Sequence, residues 1–267
     1  QSLLIQAFTL AEKPDRYIDG LKVWLLKQKQ VQGWGPSEST LDACTAFMMS
    51  GNDWLDEKEG IEIFINGKKL EAENPLYKIG YYKLDLNKSD LARGMKVEVK
   101  SQKKGLSWGA VYWQYYEDMD QVQAYKTALQ IKRKLYKEDK DEEGVLLKPI
   151  NRELLYKGNK LYTRITVETD RSMDYVHIHD SRSAAMEPIG NLSGSEFNAG
   201  LYYYKDVKDA SVHFYLYHLP KGIHTFEYPV RIVREGYFTH GYTNIQSYYA
   251  PEFGGHTEGD AIRVLEN

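Results

Sequence analysis

The sequence feature that most limits the possible folds is an alternation of apolar and polar residues that recurs along the chain after residue 60. Successive side chains of a β-strand point to opposite faces, so a period of two is typical of strands with one buried face. Many such segments with turns between them predict an antiparallel β-sandwich of Ig-like size, and 22 tyrosines favour half-buried pleated surfaces. The clearest alternating sets are Ile61, Ile63 and Ile65; Met95, Val97 and Val99; Leu129, Ile131 and Leu135; Leu161, Thr163, Ile165 and Val167; Val212, Phe214 and Leu216; Phe226, Tyr228, Val230 and Ile232; and Ile262 and Val264.

The chain before this region has helical periodicity instead. Residues 1–55 predict three helices, whose apolar residues recur at three- and four-residue spacing. Cys44, the only cysteine, is predicted to face the apolar side of the third helix, together with Leu41 and Met48. The sequence enters the first helix without an initiator Met or a signal peptide, so we expect the chain to be the tail of a longer protein.

Three segments follow from these patterns. Residues 1–55 are helical, residues 56–117 predict about four antiparallel strands, and residues 118–267 predict the larger sandwich. Asn66-Gly67 is a strong signal for a type I′ hairpin in the middle segment. An aromatic strand is predicted from Trp108 to Tyr116.

Composition and motifs exclude several classes of function. The net charge of −3 has both signs interspersed, so we expect no nucleic-acid partner. No stretch approaches the length of a membrane span, so no direct membrane insertion is expected. The sequence has no G-x-S-x-G elbow, and its glycine spacing fits neither a phosphate loop nor a dinucleotide turn. We therefore predict no catalytic residue, no enzyme activity and no cofactor.

Two groups of residues remain as candidates for binding. His177 and His179 share one strand face and could hold a metal together, but no third ligand lies at suitable spacing, so a solvated face is the preferred interpretation. Tyr202 to Tyr204 could form a stacking platform for sugars, although alternation would bury one side of the run.

The last third of the sequence resembles the C-terminal macroglobulin domain of bacterial alpha-2-macroglobulin-like proteins. The residues that carry this resemblance are Met173-Asp174-Tyr175-Val176, Asp180, Ala185 to Pro188, Leu219-Pro220-Lys221-Gly222, Phe226-Glu227-Tyr228, Arg231, Gly236-Tyr237-Phe238, Tyr249-Ala250-Pro251-Glu252-Phe253 and Glu258-Gly259. By the same resemblance, residues 1–55 correspond to the closing helices of an α/α-toroid thioester domain. Residues 56–117 correspond to the remainder of a CUB-like sandwich.

The resemblance implies a part of a protease trap, an endopeptidase inhibitor in which a protease cuts an upstream bait segment and is then enclosed. The implied partners are the upstream domains of the same chain and the proteases that the parent traps. The implied location is the periplasm or cell envelope, with a parent that could be lipid-anchored. Cys44-Thr45-Ala46-Phe47 lacks the Glu-Gln of a thioester signature, so this chain carries no thioester of its own.

Related bacterial proteins shield the thioester with a tyrosine of the last domain. Tyr249 is the best match for that residue and Tyr248 is the next. The competing interpretation is that Tyr249 packs inside the sandwich or at a domain interface.

Two other classes of function fit the same patterns. A polysaccharide lyase also joins a toroid to β-sandwiches, but it needs a basic Tyr, His or Asn cluster in the toroid, and residues 1–60 contain no His. A carbohydrate-binding sandwich could use Tyr202 to Tyr204 and Trp113.

Overall fold

The structure is a computed structural model that describes residues 1–29, 34, 36–51, 61–69, 95–101, 116–141, 144–150, 154–190 and 192–266. The chain divides into two compact units, residues 1–29 with 33–112 and residues 30–32 with 113–267. The predicted fold class is confirmed, because the described residues form mainly antiparallel β-structure together with three short helices.

The three predicted helices are present in the first unit. They are α1 (Ser2–Leu10), α2 (Asp15–Gln28) and α3 (Ser37–Ser50). Pro14 and Pro36 occupy the N-cap positions of α2 and α3, where a missing backbone N–H costs nothing. The buried residues of the bundle are Ile5, Ile18, Leu25, Ala43 and Ala46.

The prediction that Leu41, Cys44 and Met48 form the buried face of α3 is wrong. Cys44 is exposed, as are Leu41 and Met48, while Ala43 and Ala46 are buried. Small alanine side chains let α3 approach α1 closely, so the face with the smallest side chains is the one that packs.

A small three-stranded sheet in the order β2-β1-β3 completes the described part of the first unit. Its strands are β1 (Ile61–Ile65), β2 (Lys68–Lys69) and β3 (Val97–Ser101). The Asn66-Gly67 hairpin is confirmed, because Ile65 pairs with Lys68 and both turn residues have positive φ, 49° and 81°. Residues 108–115 of the strand predicted from Trp108 to Tyr116 lie outside the described residues. Tyr116 is described and belongs to no strand.

The second unit contains the larger predicted sandwich. Its strands are β4 (Leu129–Asp141), β5 (Gly144–Pro149), β6 (Leu155–Tyr156), β7 (Lys160–Thr169), β8 (Met173–Ser181), β9 (Met186–Pro188), β10 (Gly194–Asn198), β11 (Leu201–Val207), β12 (Ser211–Leu219), β13 (Gly222–Ile232), β14 (Gly236–His240), β15 (Thr243–Ser247), β16 (Ala250–His256) and β17 (Asp260–Leu265). A six-stranded sheet has the order β10-β11-β12-β8-β15-β16. A five-stranded sheet has the order β5-β4-β7-β13-β9, and a three-stranded sheet has the order β14-β17-β6.

The two large sheets share one hydrophobic core. Strand β7 alternates buried and half-buried residues along nearly its whole length, as the sequence predicts. From the six-stranded sheet, Phe214 packs against Phe226 of the five-stranded sheet with ring centroids 5.1 Å apart. Burial of one face of each sheet explains why the alternating pattern dominates the sequence.

None of the helices in the described ranges is long and apolar enough to cross a membrane.

Candidate functional site

The two candidate tyrosines form the tip of the β15–β16 hairpin. Tyr248 and Tyr249 are the two residues between the strands, and they are 68% and 53% exposed. Ser247 and Ala250, which flank the turn, are buried and pair with each other, so the strands hold the tip in place. The hairpin therefore presents two phenol rings outward.

A third tyrosine supports the ring of Tyr249. The ring of Tyr175 meets that of Tyr249 edge to face, with centroids 5.0 Å apart and an interplanar angle of 89°. The ring of Tyr175 also meets that of Tyr217 edge to face, with centroids 4.9 Å apart and an interplanar angle of 76°. Edge-to-face contacts are the favoured geometry for aromatic pairs. We call Tyr175, Tyr217, Tyr248 and Tyr249 the tyrosine cluster.

The backbone at Tyr175 has an unusual conformation. Its φ of 53° lies in the left-handed region, which few residues other than glycine occupy. The residue interrupts β8, since Val176 pairs with Leu216 and Asp174 pairs with His218. Such conformations persist only where surrounding contacts hold them, and they concentrate at functional sites.

Hydrogen bonds attach the hairpin to this interrupted strand. The backbone N–H of Tyr248 donates to the carbonyl oxygen of Tyr175 at 2.9 Å. The Ser247 hydroxyl donates to the carbonyl oxygen of Asp174 at 3.2 Å. The position of Tyr249 is therefore coupled to the conformation of Tyr175.

The phenol of Tyr175 is stabilised in its protonated form. Its neighbour Tyr217 raises the pKa of Tyr175 above the usual tyrosine value, first through a hydrogen bond between the two side chains. A neutral phenol combines an apolar ring with a hydroxyl donor, so it can exclude water and form one directed hydrogen bond.

His177 and His179 lie on the outer face of β8, opposite the buried Val176 and Ile178, as the sequence predicts. Sequence reasoning missed their contact with His213, because local periodicity does not show that β12 pairs with β8. Nε2 of His177 lies 2.9 Å from Nδ1 of His213.

The three histidine rings are stacked and partly shielded from solvent. Their centroids are between 4.7 and 6.5 Å apart. Burial, together with the neighbouring His213, lowers the pKa of His177 to about 4, and burial also lowers the pKa of His213. Within the described ranges, no group of three or more His, Cys, Asp or Glu side chains has a geometry that could hold a metal ion.

Tyr202 to Tyr204 alternate on strand β11. Tyr203 is only 3% exposed and packs edge to face against Phe214 and Phe226 in the core. Tyr202 and Tyr204 are exposed on the other face. Alternation thus buries one side of the run, as predicted, and Trp113 lies outside the described residues.

The fold of the second unit defines an antiparallel β-sandwich with an exposed tyrosine cluster at one hairpin. Residues 129–252 match the family described as the bacterial alpha-2-macroglobulin MG10 domain. This part of the chain is therefore an MG10 domain of the bacterial alpha-2-macroglobulin family, and the resemblance found in the sequence is confirmed.

Solved structures of bacterial alpha-2-macroglobulins are similar to the chain along nearly all of its length. The Escherichia coli protein activated by porcine elastase has 14% identity and a TM-score of 0.48, and the match covers 98% of this chain and 23% of that one. The Salmonella protein reacted with methylamine has 15% identity and a TM-score of 0.44, with 99% of this chain and 17% of that one covered. The chain thus spans less than a quarter of each of these proteins. No curated protein sequence matches it.

Proposed function

We propose that the chain is the C-terminal, interdomain-contact part of a bacterial alpha-2-macroglobulin-like protease trap and catalyses no reaction itself. The MG10 domain at residues 129–252 supports this assignment. In this proposal residues 1–55 are the last helices of a thioester-type toroid, residues 56–117 are the remainder of a CUB-like sandwich, and residues 118–267 are the last macroglobulin domain. The parent protein works in the periplasm or cell envelope, where it meets its target proteases.

The observation that carries the shielding role is the exposure of Tyr249 at a hairpin tip, beside the ring of Tyr175. A shield must project from its own domain, and Tyr249 is half exposed at the hairpin tip. It must also keep its position, and Tyr175 supports its ring through an edge-to-face contact. A phenol placed over a thioester of an upstream domain would exclude the water that hydrolyses it.

Replacement of Tyr249 in the full-length parent tests the shielding role. Tyr249→Ala is expected to shorten the lifetime of the thioester, which is measured by the rate at which a free thiol appears in buffer without protease. Tyr237→Ala is a suitable control, because Tyr237 is an exposed tyrosine on strand β14 of the same domain. Equal rates of thiol release for Tyr249→Ala and the unmodified parent would overturn the shielding role.

Trapping itself is tested separately from shielding. The full-length parent is mixed with a panel of endopeptidases, and each enzyme is assayed on a protein substrate and on a small peptide substrate. A trap blocks the first activity and spares the second, because the enclosed enzyme still admits small molecules. If both activities persist for every protease, the assignment to a protease trap is wrong.

A second candidate function is the binding of carbohydrate by the outer face of β11. Tyr202 and Tyr204 are exposed there, and the exposed Phe197 of β10 pairs with Tyr202. Flat aromatic rings can stack against sugar rings. Binding of the chain to a glycan array that is lost in a Tyr202→Ala, Tyr204→Ala double variant would favour this function, and an array without signal would exclude it for the glycans tested.

A further inference from the structure

The tyrosine cluster brings several phenol rings close together. Three close pairs of tyrosine rings occur among the described residues, and all of them lie in this cluster. Tyr175 and Tyr217 form the tightest pair, with ring centroids 4.9 Å apart. The ring of Tyr249 lies 5.0 Å from that of Tyr175 and 6.0 Å from that of Tyr248. Neighbouring phenols can be joined covalently when both are oxidised, so the tightest pair is a candidate modification site.

The six-stranded sheet fixes the approach of Tyr175 to Tyr217. Strands β8 and β12 are paired, and the residues on either side of Tyr217 pair with the residues on either side of Tyr175. The two tyrosines therefore lie opposite each other on neighbouring strands. Side chains in such positions are close neighbours on one face of the sheet. The backbone pairing thus holds the two rings together, and no other element has to move for them to meet.

An oxidant in solution can reach both rings. Tyr175 is 37% exposed and Tyr217 is 70% exposed, whereas Tyr203 and Tyr228 are buried in the core. The hydrogen bond between the side chains of Tyr175 and Tyr217, which raises the pKa of Tyr175, also brings the two phenol groups together. The ortho carbons of a phenol adjoin the carbon that carries the hydroxyl. Contact between the two phenol groups therefore places ortho carbons of the two rings near each other.

We propose that Tyr175 and Tyr217 form a dityrosine cross-link when the chain meets a one-electron oxidant, such as a haem peroxidase supplied with hydrogen peroxide. Each phenol gives up one electron and its hydroxyl proton, and a carbon–carbon bond forms between ortho positions of the two rings. Each of these ortho carbons then passes its hydrogen to the oxygen of its own ring, which restores both aromatic rings and both hydroxyl groups. The peroxide accepts the two electrons and the two protons and leaves as two molecules of water.

The cross-link joins β8 to β12 covalently at the outer face of the sheet. A covalent bond between two distant points of a chain restricts the unfolded state, as a disulfide does. The bond also fixes the ring of Tyr175, which supports the ring of Tyr249. The modification depends on the sheet of this domain alone, so it does not rest on the proposed trapping function.

Trypsin places the three tyrosines on different peptides, which makes the cross-link easy to assign. Cleavage after lysine and arginine releases Tyr175 in residues 172–182, Tyr217 in residues 209–221 and Tyr249 in residues 235–263. The chain is treated at low concentration with a haem peroxidase and limiting hydrogen peroxide, and the monomer is isolated and digested. We expect dityrosine fluorescence and a peptide whose mass is the sum of residues 172–182 and 209–221 less two hydrogen atoms.

Two phenylalanine variants identify the tyrosine that couples to Tyr175. Tyr217→Phe removes one exposed hydroxyl group and should abolish the linked peptide, because phenylalanine forms no phenoxyl radical. Tyr215→Phe is the matched control, since Tyr215 lies on the same strand and the same tryptic peptide as Tyr217. The ring of Tyr215 stacks on His177, with centroids 4.6 Å apart, so the linked peptide should remain in this variant.

Three results would overturn the proposal. The first is the absence of the linked peptide from the oxidised monomer, including the case in which it is found only in dimers formed between chains. The second is a linked peptide that persists in Tyr217→Phe. The third is coupling of residues 172–182 to residues 235–263 in place of residues 209–221, which would assign the cross-link to the Tyr249 hairpin. None of these results bears on trapping, which is tested on the full-length parent.

Discussion

The phenol oxygen of Tyr228 lies 2.5 Å from Oδ2 of Asp180 and donates a hydrogen bond to it. Tyr228 belongs to β13 in the five-stranded sheet and Asp180 to β8 in the six-stranded sheet, so the bond crosses the interior of the sandwich. Oδ1 of the same carboxylate accepts from Arg133 at 3.1 Å and from Thr243 at 2.7 Å. One fully buried carboxylate thus joins side chains from both sheets.

Asp180→Asn is expected to lower the free energy of unfolding by about 3–5 kcal/mol, because it leaves the buried guanidinium of Arg133 without a counter-charge. Urea unfolding followed by circular dichroism measures the change. The matched control is Asp170→Asn. The Asp170 side chain forms an ion pair with Arg171 but is 61% exposed, so this substitution should change the free energy of unfolding by less than about 1 kcal/mol. Equal effects of the two substitutions would contradict a structural role for the buried carboxylate.

The strands of the sandwich could be predicted because burial of one sheet face imposes a period of two. From Leu161 to Val167 and from Phe226 to Ile232, the residues that alternate in the sequence are the ones buried in the structure. The hairpin at Asn66-Gly67 could also be predicted from the sequence, because positive φ at both positions restricts the residue types that fit.

Contacts between distant segments could not be predicted in the same way. Arg133 and Asp180 meet because β4 lies across the core from β8, and periodicity does not specify how two sheets are stacked. The support of Tyr249 by Tyr175 likewise depends on the pairing of β15 with β8. The face of α3 was mispredicted because the largest apolar residues were taken as buried, whereas close packing selected Ala43 and Ala46.

The stability of the second unit should fall as the pH drops below the usual histidine value of 6.5. His177 and His240 have lowered pKa values in the folded state, so the unfolded chain takes up protons in a range where the folded chain stays neutral. The stabilisation is complete above the unfolded pKa and is lost as the pH falls toward the folded one. For His240 the slope is about 1.4 kcal/mol per pH unit.

Urea unfolding at several pH values from neutral down to about 4 tests this dependence. His177→Gln should flatten the slope in that window, because the substituted side chain does not titrate. Tyr215→Phe is the control, since it keeps a ring stacked on His177, where the centroids are 4.6 Å apart, and removes no histidine. A slope that His177→Gln leaves unchanged would show that this histidine does not contribute.

The left-handed backbone at Tyr175 predicts which of two substitutions at this position is less destabilising. Tyr175→Ala and Tyr175→Gly both remove the ring contacts with Tyr217 and Tyr249, but only glycine occupies positive φ without a steric penalty. The glycine variant should therefore have the higher urea midpoint of the two. At Val176, whose backbone is a regular part of β8, the order should reverse, with Val176→Ala more stable than Val176→Gly. The same order at both positions would argue against the left-handed conformation.

Gly259 lies so close to a neighbouring segment that it has no room for a side chain. A Cβ atom at this position would be 1.7 Å from the carbonyl oxygen of Met119 and 2.8 Å from its carbonyl carbon. Both are backbone atoms, which cannot rotate away as a side chain can, and the backbone N–H of Gly259 also donates to the carbonyl oxygen of Val122 at 2.9 Å. The segment around Met119 would have to move to admit a methyl group.

We therefore expect Gly259→Ala to destabilise the chain by about 1–3 kcal/mol or more, the range typical of overpacked sites. Gly194→Ala is the matched control, because nothing lies within 4 Å of a Cβ built at Gly194 and its φ is not positive. Urea unfolding compares the two variants, and hydrogen exchange of the Gly259 amide reports whether its bond to Val122 is lost. Gly259→Ala should speed that exchange because the steric contact with Met119 separates the two segments. If both alanine variants match the unmodified chain in stability and exchange, the close approach of Gly259 to Met119 is refuted.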